Sequence, residues 1–397
     1  MPTLLQINVT ANWGSTGKIA EQIGVLVQKH GWESYIAYGR NHNTSNNKLI
    51  RIGGRSNPYL HFAEQRIFDN EGQCSRLATK KLIRRIDEIN PDIIHLHNIH
   101  DHFLNYVYLF EYLNKTDIKV IWTFHDCWAV TGHCMHFVSK NCCLWKTGCH
   151  DCPMKGEHPK ALIDMSKRNW ELKRALFSAN KNLTVVSCSD WMGDIVKESF
   201  LKDKCLEVIH NGCDLKLLAP QARENTGRFH IIAVSSVWSP NKGEQDIYKL
   251  RGLLPIEEYE ITVVGLSSAQ MKNLPLGIRG IQRTQDIKEL ARLYSDADVL
   301  INPTYEDNFP TVNIEALACG TPVITYRTGG SPEAVDAITG AVVDQSDVYA
   351  LSEKIKEFRI FNFKENHSMD CRRRAVSLFD KDKCFSKYID LYKRILL

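Results

Sequence analysis

Short apolar runs alternate along this chain with stretches in which apolar residues recur every three or four positions. Runs at 3–9, 34–38, 92–96, 119–124, 183–187 and 207–210 read as buried strands. A second series, at 231–237, 260–264, 280–284, 299–301 and 322–326, repeats the pattern. Helical spacing separates them: Ile19, Ile23, Leu26 and Val27 share one face, as do Leu82, Ile86 and Ile89, and 286–294 and the stretch after Thr311 read the same way. Strands alternating with helices predict parallel sheets covered on both faces, and two series predict two such α/β halves. The break falls at the sharp turn Asn211-Gly212 and the loop-like composition through Thr226, so the expected domains are 1–215 and 216–380. Helical, basic segments follow from Tyr349, and a last helix at 381–397 is expected to return to the first domain.

Length and composition agree with two cores, since 397 residues with 43% apolar content are enough for two ordinary domains. A net charge of +4 and a pI near 8.3 are too mild for a nucleic-acid binder. The chain opens as a strand rather than a charged leader, and no apolar run reaches the length of a membrane span. A cytoplasmic protein is expected, with peripheral contact at the inner face of the membrane as one reading of the basic helix carrying Lys80, Lys81, Arg84 and Arg85. Thirteen cysteines are an odd number, which favours reduced thiols or a metal site over a disulfide framework.

The densest chemistry lies at 302–333. A strand runs into a loop with Glu306, Asp307, Asn308, Phe309 and Pro310, and then into a helix closed by Cys319-Gly320. Backbone amides at Thr311, Val312 and Asn313 start that helix, where its dipole favours a phosphate. One turn on, Glu315 has Thr311, Val312, Ala318 and Cys319 as helical neighbours. None is basic, which points to an outside hydrogen-bond donor such as a sugar hydroxyl.

Other candidates stand at strand ends, where open parallel sheets bind ligands. The turn from Asn12 to Gly17 lacks the glycines of a dinucleotide fingerprint, and a phosphate loop would need Gly at Asn12 and Ser or Thr at Ile19. What remains is a turn in which Gly14 and Gly17 let backbone approach a ligand, or an ordinary tight turn. His97 and His125 close neighbouring strands, with His125 the stronger candidate. Lys242, in the first turn of the second half, is placed to meet a diphosphate. Six cysteines crowd 127–152: Cys127, Cys134, Cys142, Cys143, Cys149 and Cys152. Cys134, Cys142, Cys149 and Cys152 could supply four thiolates to a structural zinc, with Cys143, His133 and His136 as competing ligands and free thiols as the alternative.

Two acidic residues with seven between them, Asp307 and Glu315, together with EALACGTPV and TGGSPE, resemble the donor loop of the retaining glycosyltransferases of family 4. The cysteine-rich insertion at 127–155 is similar to those of a bacterial polysaccharide branch, and Asn211, Gly212 and Asp214 match the family hinge. The resemblance implies the GT-B architecture, two facing Rossmann-like domains with a cleft between them. It implies transfer of a sugar from a UDP- or GDP-sugar to a saccharide acceptor, plain or lipid-linked, in surface-polysaccharide synthesis, with no cofactor for catalysis. In that pattern His125 and Asp307 orient the donor sugar, Lys242 meets the diphosphate, Glu315 holds ribose hydroxyls, and backbone at Arg283-Thr284 frames the base. Two departures show: glutamate is usual where Asp307 stands, with Glu306 one residue off, and an arginine is usual at Val237, for which Arg40 and Arg327 are stand-ins. A nucleotide-sugar epimerase and a zinc-braced binding protein are the competing readings.

Overall fold

A computed structural model describes residues 1–223 and 227–397. The end of the expected connection, 224–226, lies outside the described residues. The chain forms two compact units, Met1–Ile209 with Phe385–Leu397, and His210–Cys384.

The first unit is a seven-stranded, wholly parallel sheet of β1 (Thr3–Asn8), β2 (Glu33–Tyr38), β3 (Lys48–Arg51), β4 (Ile93–Leu96), β5 (Lys119–Phe124), β6 (Leu183–Ser187) and β7 (Cys205–Val208). Their order is β3-β2-β1-β4-β5-β6-β7. Its helices are α1 (Gly14–Lys29), α2 (Asn57–Phe68), α3 (Arg76–Ile89), α4 (Tyr106–Leu113), α5 (Ser166–Ala179) and α6 (Asp190–Glu198). Every residue of β4 and β6 is buried, as expected for strands covered on both faces. An aromatic core fills the space beneath α4 and α5: Phe110 and Phe177 lie 4.4 Å apart between ring centres, and Trp122 packs edge-on to Phe177 at 4.9 Å. The last helix of the chain (Lys381–Leu396) contributes Tyr388 and Tyr392 to this unit, their hydroxyls hydrogen-bonded to Thr123 at 3.1 Å and His95 at 2.6 Å.

The second unit is a six-stranded parallel sheet of β8 (Phe229–Val234), β9 (Tyr259–Val264), β10 (Ile278–Ile281), β11 (Val299–Asn302), β12 (Val323–Tyr326) and β13 (Gly340–Val343), in the order β10-β9-β8-β11-β12-β13. It carries α7 (Glu244–Leu253), α8 (Ser268–Lys272), α9 (Ile287–Asp296), α10 (Thr311–Ala318), α11 (Val348–Ile360) and α12 (Phe363–Leu378), which makes the C-terminal helix α13. In both sheets the first strand sits inside, and chain order reverses beside it. That reversal opens a crevice at the carboxyl ends of β1 and β4, and of β8 and β11.

The periodicity missed some elements. The polar connection before Asn57 holds β3, an edge strand with two exposed residues, and α2 follows it with little apolar face turned inward. Neither presents an alternation to read. The strand expected over 231–237 instead ends at Val234, because Ser235 turns its hydroxyl onto the Val237 backbone and leaves Val237 exposed. The strand expected over 280–284 lies over Ile278–Ile281, where the apolar residues are.

Close packing at Gly329 holds the loop after β11. With φ at +51°, a Cβ there would sit 1.8 Å from the Asp307 carbonyl oxygen. Gly329→Ala is therefore expected to lower unfolding free energy by about 1–3 kcal/mol and to displace that loop, seen as a shifted urea midpoint. An unchanged midpoint would show that the loop does not depend on this contact.

Candidate active site

In the second unit the expected residues meet at one strand edge. The short 3-10 turn Pro240–Lys242 follows β8, and the loop after β11 lies beside it. Lys242 Nζ donates to Asp307 Oδ2 at 2.7 Å and to the Glu306 carbonyl at 3.2 Å. Asn241 completes the clasp: its side chain donates to Glu306 Oε2 at 3.0 Å, and its carbonyl accepts the Tyr305 amide at 2.8 Å. Glu306 is thus buried and Asp307 half-buried, so Asp307 is the acid that shares the ammonium. Such a pair holds a cation at the strand end.

Helix α10 starts at Pro310 with no side-chain cap. Asn313 is not available as a ligand: its amide group donates to the Ser331 carbonyl and hydroxyl at 3.2 Å and accepts from Asn302 at 2.9 Å, and its backbone N–H bonds Pro310. It ties the helix to the segment after β12. Thr311 and Val312 are half-buried, whereas Asn308, Phe309 and Pro310 are buried, the Phe309 ring lying 5.8 Å from Phe379. Glu315 has an internal donor that its helical neighbours did not reveal. The buried Tyr294 hydroxyl on α9 donates to Glu315 Oε2 at 3.1 Å, so an outside donor is not required to explain this carboxylate. The tyrosine was legible only as a core residue of its helix. Arg283 is exposed and Thr284 half-buried in the loop after β10. The two stand-ins for the missing arginine are engaged elsewhere, Arg40 with Asp101 and Arg327 with Asp344 at 3.0 Å.

In the first unit, Gly14 opens α1 at φ +64° with open space around it. Gly17 differs, because a Cβ there would meet Thr10 Oγ1 at 2.6 Å, so it serves the packing of α1 on the end of β1. His125 and His97 lie side by side, with Nε2 of one and Nδ1 of the other 3.1 Å apart. Burial pushes His125 down to about 4, so it is neutral at physiological pH. Beyond them lies a charged cluster that was not singled out as a site from the sequence. His100 pairs with Asp126 at 2.7 Å, and the buried Glu71 accepts the amides of Asp101 at 2.5 Å and His102 at 3.2 Å. Asp101 and His102 both adopt left-handed backbone, φ +79° and +69°. Two successive non-glycine residues there are costly, and the Glu71 clamp holds them. The only trace in the sequence is the density of polar residues in His97-Asn98-Ile99-His100-Asp101-His102.

The cysteine loop does not present the expected zinc site. Cys134 and Cys152 share a thiol hydrogen bond, which lowers Cys152 to about 7, and Cys149 Sγ accepts the Gly132 amide at 3.2 Å. Cys142 packs half-buried at the core edge. Among the described residues no three of these sulfurs come within 4.8 Å of one another. The loop is held instead by Lys173, which donates to the carbonyls of Trp128 at 2.7 Å and Thr131 at 3.0 Å.

Residues 24–217 match the family described as Glycosyltransferase Family 4, and residues 228–358 match Glycosyl transferases group 1. The chain is related to the family 4 glycosyltransferases. WcaC of Escherichia coli (strain K12), named for colanic acid biosynthesis as a glycosyl transferase, is 23% identical over 99% of this chain and 100% of its own length. A D-inositol 3-phosphate glycosyltransferase of Mycobacterium sp. (strain KMS) is 28% identical over 58% of this chain, which spans about half of that relative, 54%. Among solved structures, sucrose-phosphate synthase of Thermosynechococcus elongatus superposes with a TM-score of 0.76 at 17% identity, covering 100% of this chain and 99% of that one. Anabaena HepE in complex with UDP gives 0.69 at 13% identity, covering 99% and 100%. The fold is GT-B.

In the first unit of this glycosyltransferase relative, His102 makes a pH-dependent contribution to stability. Burial opposes its charge, but the carboxylates of Asp101 and Glu71, 3.3 and 3.0 Å from its ring nitrogens, outweigh that and push it up to about 9. A raised folded value means the contribution is complete below about 6.5 and is lost as pH rises through about 9. Urea unfolding should therefore show about 1–3 kcal/mol lost between pH 6.5 and 9. His102→Gln should remove that slope; a slope unchanged in the variant would contradict the assignment.

Proposed function

We propose that this protein is a retaining glycosyltransferase that moves a sugar from a nucleotide diphosphate sugar to a saccharide acceptor in surface-polysaccharide synthesis. The single observation that carries this reading is the Lys242–Asp307 pair at the strand edge beside the uncapped start of α10. A leaving diphosphate acquires negative charge as the glycosidic bond breaks, and fixed positive groups lower that barrier. Lys242 supplies a full charge and the amides of Thr311 and Val312 a partial one. Together they take the place of a divalent cation, so turnover is read as metal-independent. Asp307, released from Lys242 by the phosphate, orients the donor sugar, and Glu315, held by Tyr294, accepts ribose hydroxyls. Retention follows if the acceptor enters on the face the diphosphate leaves, with the departing phosphate taking its proton. The full-length likeness to a protein named for colanic acid biosynthesis supports a saccharide acceptor.

Thermal shift against UDP, GDP and their sugars identifies the donor, since a ligand that binds only the folded state raises apparent stability. With that donor, Lys242→Ala should lower kcat about a hundredfold or more, the effect of removing one preorganised charge-stabilising group. A rate within a few-fold of the original enzyme, or a strict requirement for added magnesium or manganese, would overturn the diphosphate site.

A lipid-linked acceptor and peripheral membrane contact are supported by the surface of α2 and α3. Tyr59, Leu60 and Phe62 on α2 are 78%, 70% and 53% exposed, and Leu77 on α3 is 78% exposed. Leu60 and Leu77 line one groove with Lys81 and Arg85, and no helix among the described residues is long and apolar enough to cross a membrane. Apolar side chains beside cations suit the headgroup region of an anionic bilayer. Sedimentation with phosphatidylglycerol vesicles should fall at least tenfold for a variant combining Leu60→Ser, Leu77→Ser, Lys81→Glu and Arg85→Glu, with no change in nucleotide-induced thermal shift. Equal sedimentation of the variant would remove the membrane reading.

A further inference from the structure

Tyr305 stands just before Glu306 and Asp307 in the loop after β11, and it fastens that loop to four other segments. Its amide donates to the Asn241 carbonyl at 2.8 Å, in the turn after β8. Its hydroxyl donates to Oδ2 of Asp246, in the first turn of α7, at 2.5 Å. Its carbonyl accepts from Thr328 Oγ1 after β12 and from Gln345 Nε2 after β13, each at 2.9 Å. The ring packs edge-on to Tyr326 with centres 5.9 Å apart. Asp246 is 1% exposed, so its carboxylate needs donors inside the protein. Lys249 Nζ meets Oδ1 at 3.1 Å, and the Tyr326 hydroxyl shares Oδ2 with Tyr305 at 3.0 Å. A carboxylate acceptor makes these bonds stronger than neutral ones. Asn241 precedes Lys242 in the chain, and Tyr305 lies two residues before Asp307. The bond from Tyr305 to Asn241 therefore joins the two loops that carry the Lys242–Asp307 pair. Asp307 is fixed on its other side as well, since its Oδ1 accepts the Phe309 amide at 3.2 Å.

With Lys242 and Asp307 read as substrate contacts of the proposed transferase, a reading on which this step rests, we propose that Tyr305, held by Asp246, is a positioning residue that fixes the ammonium and the carboxylate relative to each other. It acts through them and not on the reacting atoms. Fixed charge stabilises a leaving group only from a fixed place, and a misplacement of about 1 Å costs up to about a hundredfold in rate. Tyr326 offers a comparison within the same fold. It donates to the same Asp246 oxygen from the end of β12, but its backbone carries neither Lys242 nor Asp307. If Asp246 served packing alone, the two hydroxyls would be equivalent. If it serves the site, only the one on the loop after β11 matters for turnover.

Tyr305→Phe and Tyr326→Phe, each made in the full chain, separate the two roles. Each removes one hydroxyl from Asp246, and both should lower the urea midpoint by a similar amount. Backbone hydrogen exchange, followed by mass spectrometry on the peptide spanning 303–310, should be about tenfold faster in Tyr305→Phe and within about twofold of the unaltered chain in Tyr326→Phe. With the donor identified by thermal shift, kcat should fall about tenfold in Tyr305→Phe with donor KM within about threefold, and should stay within about threefold in Tyr326→Phe. Equal exchange or equal kcat in the two variants overturns the proposal, and so does a loosened loop with an unchanged kcat. Thr328→Val removes a different bond to Tyr305 and should speed exchange of the same peptide about threefold or more. Should Tyr305→Phe not fold, that variant decides, and unchanged exchange in it overturns the anchor. Exchange is read without turnover, so the expected exchange pattern in a chain that transfers no sugar would uphold the anchor and reject the transferase reading.

Discussion

Among the described residues all thirteen strands are parallel to their neighbours, and this constraint governs where chemistry can occur. Parallel strands need crossovers, helical crossovers cover both faces, and the strand ends are left as the places where a ligand can reach polar residues. Each unit has candidate site residues at the carboxyl ends of its central strands. Lys242 and Asp307 follow β8 and β11, while His97 and His125 close β4 and β5.

The two strand ends solve the cost of polar groups near a core in opposite ways. In the second unit charge is kept and paired: Lys242 with Asp307, and the buried Asp246 with Lys249 and with the hydroxyls of Tyr305 and Tyr326. In the first unit burial keeps His97 and His125 neutral, and they are joined to each other and to the Gln6 amide by neutral hydrogen bonds. Beside that row, His100 and His102 keep their protons because Asp126, Asp101 and Glu71 stand against them. Burial disfavours the charge on all these rings, and a carboxylate in direct contact with the ring, as Asp126 is with His100, raises His100 and His102 where His97 and His125 are lowered.

Packing sets the geometry that the charges use. Gly17 lets α1 close on β1, Gly329 lets the segment after β12 pass under Asp307, and Asn313 joins α10 to β11 and Ser331. None of the three needs to touch a ligand to matter. Each keeps a neighbouring loop within a narrow range of positions, which catalysis by fixed charge requires.

Much of this was readable from the chain alone. Apolar runs with β-branched residues placed eleven of the strands close to where they lie, two halves followed from the repeated pattern, and the loop from Asp307 to Glu315 was legible because its residues are contiguous. Edge strands β3 and β13 and the poorly amphipathic α2 were not, since a weakly buried element has no period to display. Tertiary structure decided the pairings between distant residues: Lys242 with Asp307, Tyr294 with Glu315, Arg40 with Asp101, and the thiols of Cys134 and Cys152 in place of a four-sulfur site. Side-chain partners depend on which strand ends become neighbours in space. Local periodicity reports how one segment is buried, and it carries no record of the segment that covers it.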